Sequence, residues 1–85
     1  MVDAVVLLCV IPGEEHRVKE AILKLNEVKS CRITFGEYDL VVEVQTTKIK
    51  DLGGLMTKKI RRIDGVTKSI TLIISESLNE ESNTS

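Results

Sequence analysis

Cys31-Arg32-Ile33-Thr34-Phe35-Gly36-Glu37-Tyr38-Asp39-Leu40-Val41-Val42-Glu43-Val44 is the stretch that decides the fold. Cys31, Ile33 and Phe35 alternate with Arg32 and Thr34, which is the period of a strand with one buried face. After the loop at Gly36, the run 40–45 is again strand-like. Two such runs around a short glycine-containing loop read as a hairpin.

Outward from this hairpin, the pattern changes to a helical period on both sides. Upstream, Val18, Ala21, Ile22 and Leu25 form one apolar stripe on a charged helix. Glu14 and Glu15 stand at its start, where the helix dipole favours negative charge. Pro12-Gly13 separates this helix from a first strand over 3–11.

Downstream, Thr46 and Thr47 are candidate caps of a second helix. Its apolar side is Ile49, Leu52, Leu55, Met56, Ile60 and Ile63, and Lys58, Lys59, Arg61 and Arg62 crowd its end. Gly53-Gly54 interrupts it at about 1 kcal/mol per glycine, and close helix packing is one reason for such a pair. Gly65 closes the helix in a left-handed cap, and 66–75 is the fourth strand. Residues 1–75 are expected to form one domain, and the polar, acidic stretch 76–85 to be disordered.

The order is β-α-β-β-α-β, and the two halves echo one another. Asp3-Ala4-Val5-Val6 resembles Asp39-Leu40-Val41-Val42, and Glu27-Val28-Lys29-Ser30 resembles Gly65-Val66-Thr67-Lys68. Two right-handed split β-α-β units interleave as an antiparallel sheet of order 4-1-3-2, a ferredoxin-like α+β sandwich with both helices on one face. The uncovered face should then be polar. The first strand contradicts this: Ala4, Val6, Leu8 and Val10 point one way, and Val5, Leu7, Cys9 and Ile11 the other. Val41 and Ile73 are read as extending the second set. The economical cover is a second copy packed sheet to sheet, closing a dimeric α+β barrel.

Composition excludes several functions. Twelve basic and thirteen acidic side chains give a net charge of −1, with no global attraction to nucleic acid or anionic membrane. The first and third strands lack the aromatics on which RNA-binding modules of the same element order stack bases. His16 is alone, on the charged side of the first helix. No nucleophile has an evident histidine partner, no phosphate loop is present, and no ligand cluster suits a metal. No catalytic residue, metal or cofactor is expected. Cys9 and Cys31 read as free thiols of a reducing cytoplasm. The run 4–11 is too short to cross a bilayer.

The loop admits two readings. Gly36 and Asp39 suit a plain hairpin turn. The same residues, with Glu37 and Tyr38, also form a corner suited to a free amino acid: a carboxylate for its ammonium group and backbone N–H groups for its carboxylate. Ser69 and Thr71 offer hydroxyls on the last strand.

Residues 34–44 resemble the signature of the Lrp/AsnC transcription regulators, specifically their C-terminal effector-sensing (RAM) domain. Lys59-Ile60-Arg61-Arg62-Ile63-Asp64-Gly65-Val66 and Ser69-Ile70-Thr71-Leu72-Ile73 are similar to the family's helix-glycine-strand ending. The resemblance covers about residues 2–75. It implies sheet-to-sheet dimers, rings of eight or ten chains, and amino acids held between dimers. Gly36 and Asp39 fall on the effector-loop positions and Thr71 on the polar position of the last strand, with Ser69, Glu37 and Tyr38 beside them. The family's full members also carry an N-terminal helix-turn-helix, so a stand-alone sensing domain is the expectation, able to co-assemble with full-length relatives. A pure oligomerisation module with a degenerate effector site, a small dimeric α+β barrel enzyme and an ACT-type amino-acid-binding domain are the alternatives.

Overall fold

A computed structural model describes residues 1–79. Strand β1 (Val2–Val10) leads into α1 (Glu15–Leu23), then the hairpin β2 (Val28–Ile33) and β3 (Leu40–Thr46). Helix α2 (Ile49–Lys58), a 3₁₀ turn (Ile60–Arg62), β4 (Val66–Ile73) and α3 (Glu76–Asn79) complete the order. The four strands lie β2-β3-β1-β4, all neighbours antiparallel, which is the 4-1-3-2 order expected of a ferredoxin-like sandwich.

Alternation sorts the strands into two faces. Ala4, Val6, Leu8 and Val10 are buried together with Leu40, Val42, Val44 and Cys31. The helices cover this face with Val18, Ile22, Leu52, Leu55, Met56 and Ile60. Cys31 is therefore a core thiol, and burial raises its pKa above the ordinary value, which disfavours the reactive thiolate.

On the other face, Val5, Leu7 and Cys9 remain only half-buried. Leu7 stands between Val41 and Ile70, and Val5 between Glu43 and Leu72. Ile73 does not belong there. It pairs with Ala4, which puts it on the helix side of β4, and Ile70 and Leu72 take its place on the open face. Ile11 lies beyond the end of β1, where alternation no longer fixes its side.

Polar pairs border the open face. Gln45 Nε2 donates to Asp3 Oδ1 at 2.8 Å, and Ser30 Oγ to Glu43 Oε1 at 2.6 Å. An apolar centre with a polar rim is the anatomy of a protein interface.

Several local expectations change. Neither Thr46 nor Thr47 caps α2. Its N-cap is Lys48 without a side-chain cap bond, and buried Thr46 donates from Oγ1 to the Lys48 carbonyl at 2.9 Å. The expected single helix through Ile63 breaks after Lys58, and Ile60 is buried from the 3₁₀ turn instead. Residues 76–79 form a short helix rather than disordered chain, while 80–85 fall outside the described residues. No described helix is long and apolar enough to cross a membrane.

Close packing does not explain Gly53-Gly54, because nothing lies within 4 Å of a Cβ built at either position. Gly53→Ala is therefore expected to stabilise the chain by about 1 kcal/mol, read as a higher urea midpoint at unchanged slope. A lower midpoint would show that the pair serves something the protomer alone does not contain.

An ion pair ties the start of β2 to the end of α2. Lys59 Nζ donates to Glu27 Oε2 at 2.9 Å, and this hydrogen bond is the main reason the Glu27 carboxyl lies below its ordinary pKa of 4.5. A depressed folded value contributes stability above the unfolded pKa and loses it as pH falls through the folded value. Urea unfolding of Lys59→Met should therefore show a deficit at neutral pH that closes on acidification below about 4.5. A deficit independent of pH would contradict this.

Candidate functional site

The loop between β2 and β3 is held closed at its base. Thr34 N–H donates to the Asp39 carbonyl at 2.9 Å, and Thr34 Oγ1 donates to the Tyr38 carbonyl at 2.7 Å. Asp39 then fastens the loop to β1. Its N–H donates to the Leu8 carbonyl at 2.8 Å, and its Oδ2 accepts the Val10 N–H at 2.8 Å. One carboxylate oxygen is thus spent on the scaffold, while Oδ1 has no hydrogen-bond donor among the described residues. Gly36 sits at φ +137°, in open space, so the backbone conformation and not crowding calls for glycine there.

Because β1 ends against this loop, the first turn of α1 lies beside it. A cavity of about 340 Å³ is lined by Glu15, His16, Ile33, Thr34, Phe35, Gly36 and Asp39. Its volume falls within the range of small-molecule sites. Two carboxylate residues line it, Glu15 and Asp39, and the N–H of Gly36 donates to no protein acceptor among the described residues. Phe35 is fully exposed at its lip. This geometry offers acceptors for an ammonium group and a free donor for a carboxylate.

Of the expected site residues, Gly36 and Asp39 meet in this cavity. Glu37 and Tyr38 belong to the same loop but turn toward the open face of the sheet. The Glu37 carbonyl accepts from Cys9 Sγ at 3.5 Å, and Lys68 Nζ stands 5.5 Å from the centre of the Tyr38 ring. Ser69 and Thr71 are not brought to the loop within one protomer. They pair with Leu8 and Val6, so β1 lies between them and β3. Ser69 lines a different cavity, with Arg61, Val66, Thr67 and Lys68.

Glu15, His16, Thr34 and Lys68 were missed as neighbours of the site. The strand order itself was the available signal for the first two: the end of β1, and hence the start of α1, must lie beside the β2–β3 loop. Lys68 follows from the β1–β4 register, which pairs it with Cys9. No group of three or more potential metal ligands occurs among the described residues.

Residues 3–84 match the family model described as the Lrp/AsnC ligand binding domain. An uncharacterised HTH-type transcriptional regulator of Pyrococcus abyssi is 30% identical over 67 residues, covering 79% of this chain and 45% of that protein. The chain thus spans about half the length of the curated relatives it matches. Those relatives are named as transcriptional regulators, not enzymes. The crystal structure of FFRP-DM1 superposes with a TM-score of 0.85 at 39% identity, covering 88% of this chain and 100% of that one. A Neisseria meningitidis transcriptional regulator solved in complex with L-Met shares the fold, with a TM-score of 0.78 at 17% identity over 87% of this chain and 49% of that one.

Proposed function

Since the chain belongs to the Lrp/AsnC ligand-binding domain family, we propose that it binds a free amino acid at the Gly36–Asp39 corner and couples binding to its own assembly. The observation that carries this reading is the loop cavity lined by Glu15, Gly36 and Asp39, where Asp39 Oδ1 and the Gly36 N–H have no hydrogen-bond partner among the described residues. An L-methionine complex of a protein with the same fold supports the ligand class.

The pairing partner is a second copy through the open sheet face around Leu7, with Val5, Cys9 and Val41 beside it. Ser69 and Thr71, which cannot reach the loop of their own chain, complete the corner only from a neighbouring dimer in a ring. Co-assembly with DNA-binding relatives in the cytoplasm is the regulatory setting, with residues 1–75 as the sensing domain.

Calorimetric titration with each of the twenty amino acids tests the ligand. Saturable heat for one or a few supports a sensor, and no heat from any would leave an oligomerisation module. Asp39 needs care in the follow-up. Asp39→Ala also removes the acceptor of the Val10 N–H, which costs about 1–2 kcal/mol of stability. Asp39→Asn keeps an oxygen for Val10 and removes the charge. It is expected to fold normally while weakening amino-acid binding roughly tenfold or more. Unchanged affinity in Asp39→Asn would remove Asp39 from the site.

A further inference from the structure

One row of the core is left open where the sheet meets the loop cavity. Ile33 pairs with Leu40 across the sheet, and Leu40 with Leu8. Residues directly opposite one another in an antiparallel ladder point to the same side, so all three belong to the helix face. Leu8 and Leu40 are fully buried there, whereas Ile33 is 38% exposed. The covering helix explains the difference. Helix α1 buries Val18 and Ile22 in the core, but to this cavity it lends only Glu15 and His16, neither of them apolar. Ile33 therefore holds a core position whose exposed part opens into the cavity.

Phe35 adds a second apolar surface. It lines the same cavity and is fully exposed, so nothing in the protomer covers its ring. Thr34, between the two, is bonded to the loop base through both its N–H and its Oγ1. Ile33 and Phe35 thus stand on backbone that is fixed before any ligand arrives, which lowers the ordering cost of binding. No lysine or arginine lines the cavity, so an acidic side chain would find no fixed cation and would add negative charge beside Glu15 and Asp39. Polar uncharged side chains would lose water against two apolar surfaces.

We propose that the loop cavity selects free amino acids whose side chain is apolar and larger than alanine's, held against Ile33 and Phe35. The inference rests on the amino-acid reading of the loop and adds the side-chain class that reading leaves open. Asp39 and the Gly36 N–H take the charged groups common to all amino acids, and Ile33 and Phe35 discriminate among them.

The test is calorimetric titration of the full chain with leucine, isoleucine, methionine, alanine, asparagine, glutamate and lysine in turn. At least one of the three larger apolar amino acids is expected to bind roughly tenfold or more tighter than alanine, asparagine, glutamate or lysine. Ile33→Thr keeps the branched shape suited to a strand and removes apolar surface. Phe35→Ser removes a ring that packs on nothing in the protomer. Each should shrink the preference over alanine about threefold or more, whereas Asp39→Asn should weaken both ligands alike and keep their ratio. Equal affinity for the apolar amino acids and alanine overturns the proposal and leaves the loop an amino-acid site. So does a preference for asparagine or glutamate, or for lysine, which would assign the side chain to Glu15. A ratio unchanged in both Ile33→Thr and Phe35→Ser, with native circular dichroism, overturns it as well. No heat from any of the twenty amino acids removes the loop reading itself, and the selectivity with it.

Discussion

Leu7→Glu should raise the dissociation constant of the proposed sheet-to-sheet dimer about 10²–10⁴-fold. Leu7 lies at the centre of the open face, between Val41 and Ile70, and is left partly exposed within its own protomer. Burying the part of Leu7 left exposed contributes about 0.5–1 kcal/mol, a fraction of what a whole leucine gives, so the introduced charge carries most of the effect. A two-fold axis applies the loss twice, and each 1.4 kcal/mol is tenfold in affinity. The introduced carboxylate adds a desolvation cost in the same direction. Ile73→Glu is the control that makes the result specific. Ile73 is 49% exposed on the helix side of β4, so its replacement should leave the sheet-to-sheet dimer intact. Sedimentation velocity over a concentration series distinguishes the two. Dissociation by Ile73→Glu with Leu7→Glu still dimeric would place the interface on the wrong face.

Gly65→Ala is the second large effect, and it acts on the protomer. Gly65 is buried at φ +104°, a conformation costly for any residue with a side chain. A Cβ there would stand 2.7 Å from Arg17 Nη2 and 3.1 Å from Val18 Cγ2. The arginine end is flexible in principle, but here it donates to the Asp64 carbonyl at 2.8 Å, so moving it breaks a bond. Val18 is fully buried in the core and has little freedom to shift. The Gly65 carbonyl also accepts the Ile11 N–H at 2.9 Å, which ties the end of β1 to the entry of β4. Strain and displacement together are expected to cost about 2–3 kcal/mol, lowering the melting temperature by roughly 10–20 °C at fixed protein concentration. Gly36→Ala is the comparison: similar backbone strain without crowding should cost distinctly less. Equal losses at the two positions would mean that the Arg17 and Val18 contacts carry no weight.

The strand order was legible because β1 has apolar residues on both parities and the hairpin around Gly36 fixes β2 beside β3. The side taken by each residue of β4 was not. Apolar residues occur on both of its parities, with Ile70 and Leu72 on one and Ile73 on the other, so hydrophobicity alone cannot choose a register. The end of α2 was hidden for a related reason. Ile60 and Ile63 keep the helical period, yet Ile60 reaches the core from a 3₁₀ turn with tighter winding.

In the loop, the residue types were readable but the division of labour was not. Asp39 looked like a free carboxylate, and half of it is structural, because the Val10 N–H at the end of β1 requires an acceptor. Ser69 and Thr71 looked like partners of the loop, and the sheet separates them from it by the width of β1. That separation makes a neighbouring copy necessary if they are to contribute at all.

Light scattering coupled to size exclusion, with and without the amino acid that gives calorimetric heat, tests most directly whether ligand and assembly are linked. The proposed coupling predicts dimers built into rings of eight or ten chains, with the distribution shifted on adding that amino acid. A mass that stays the same in the presence of every amino acid would contradict the proposed coupling and leave the chain as a dimerisation module.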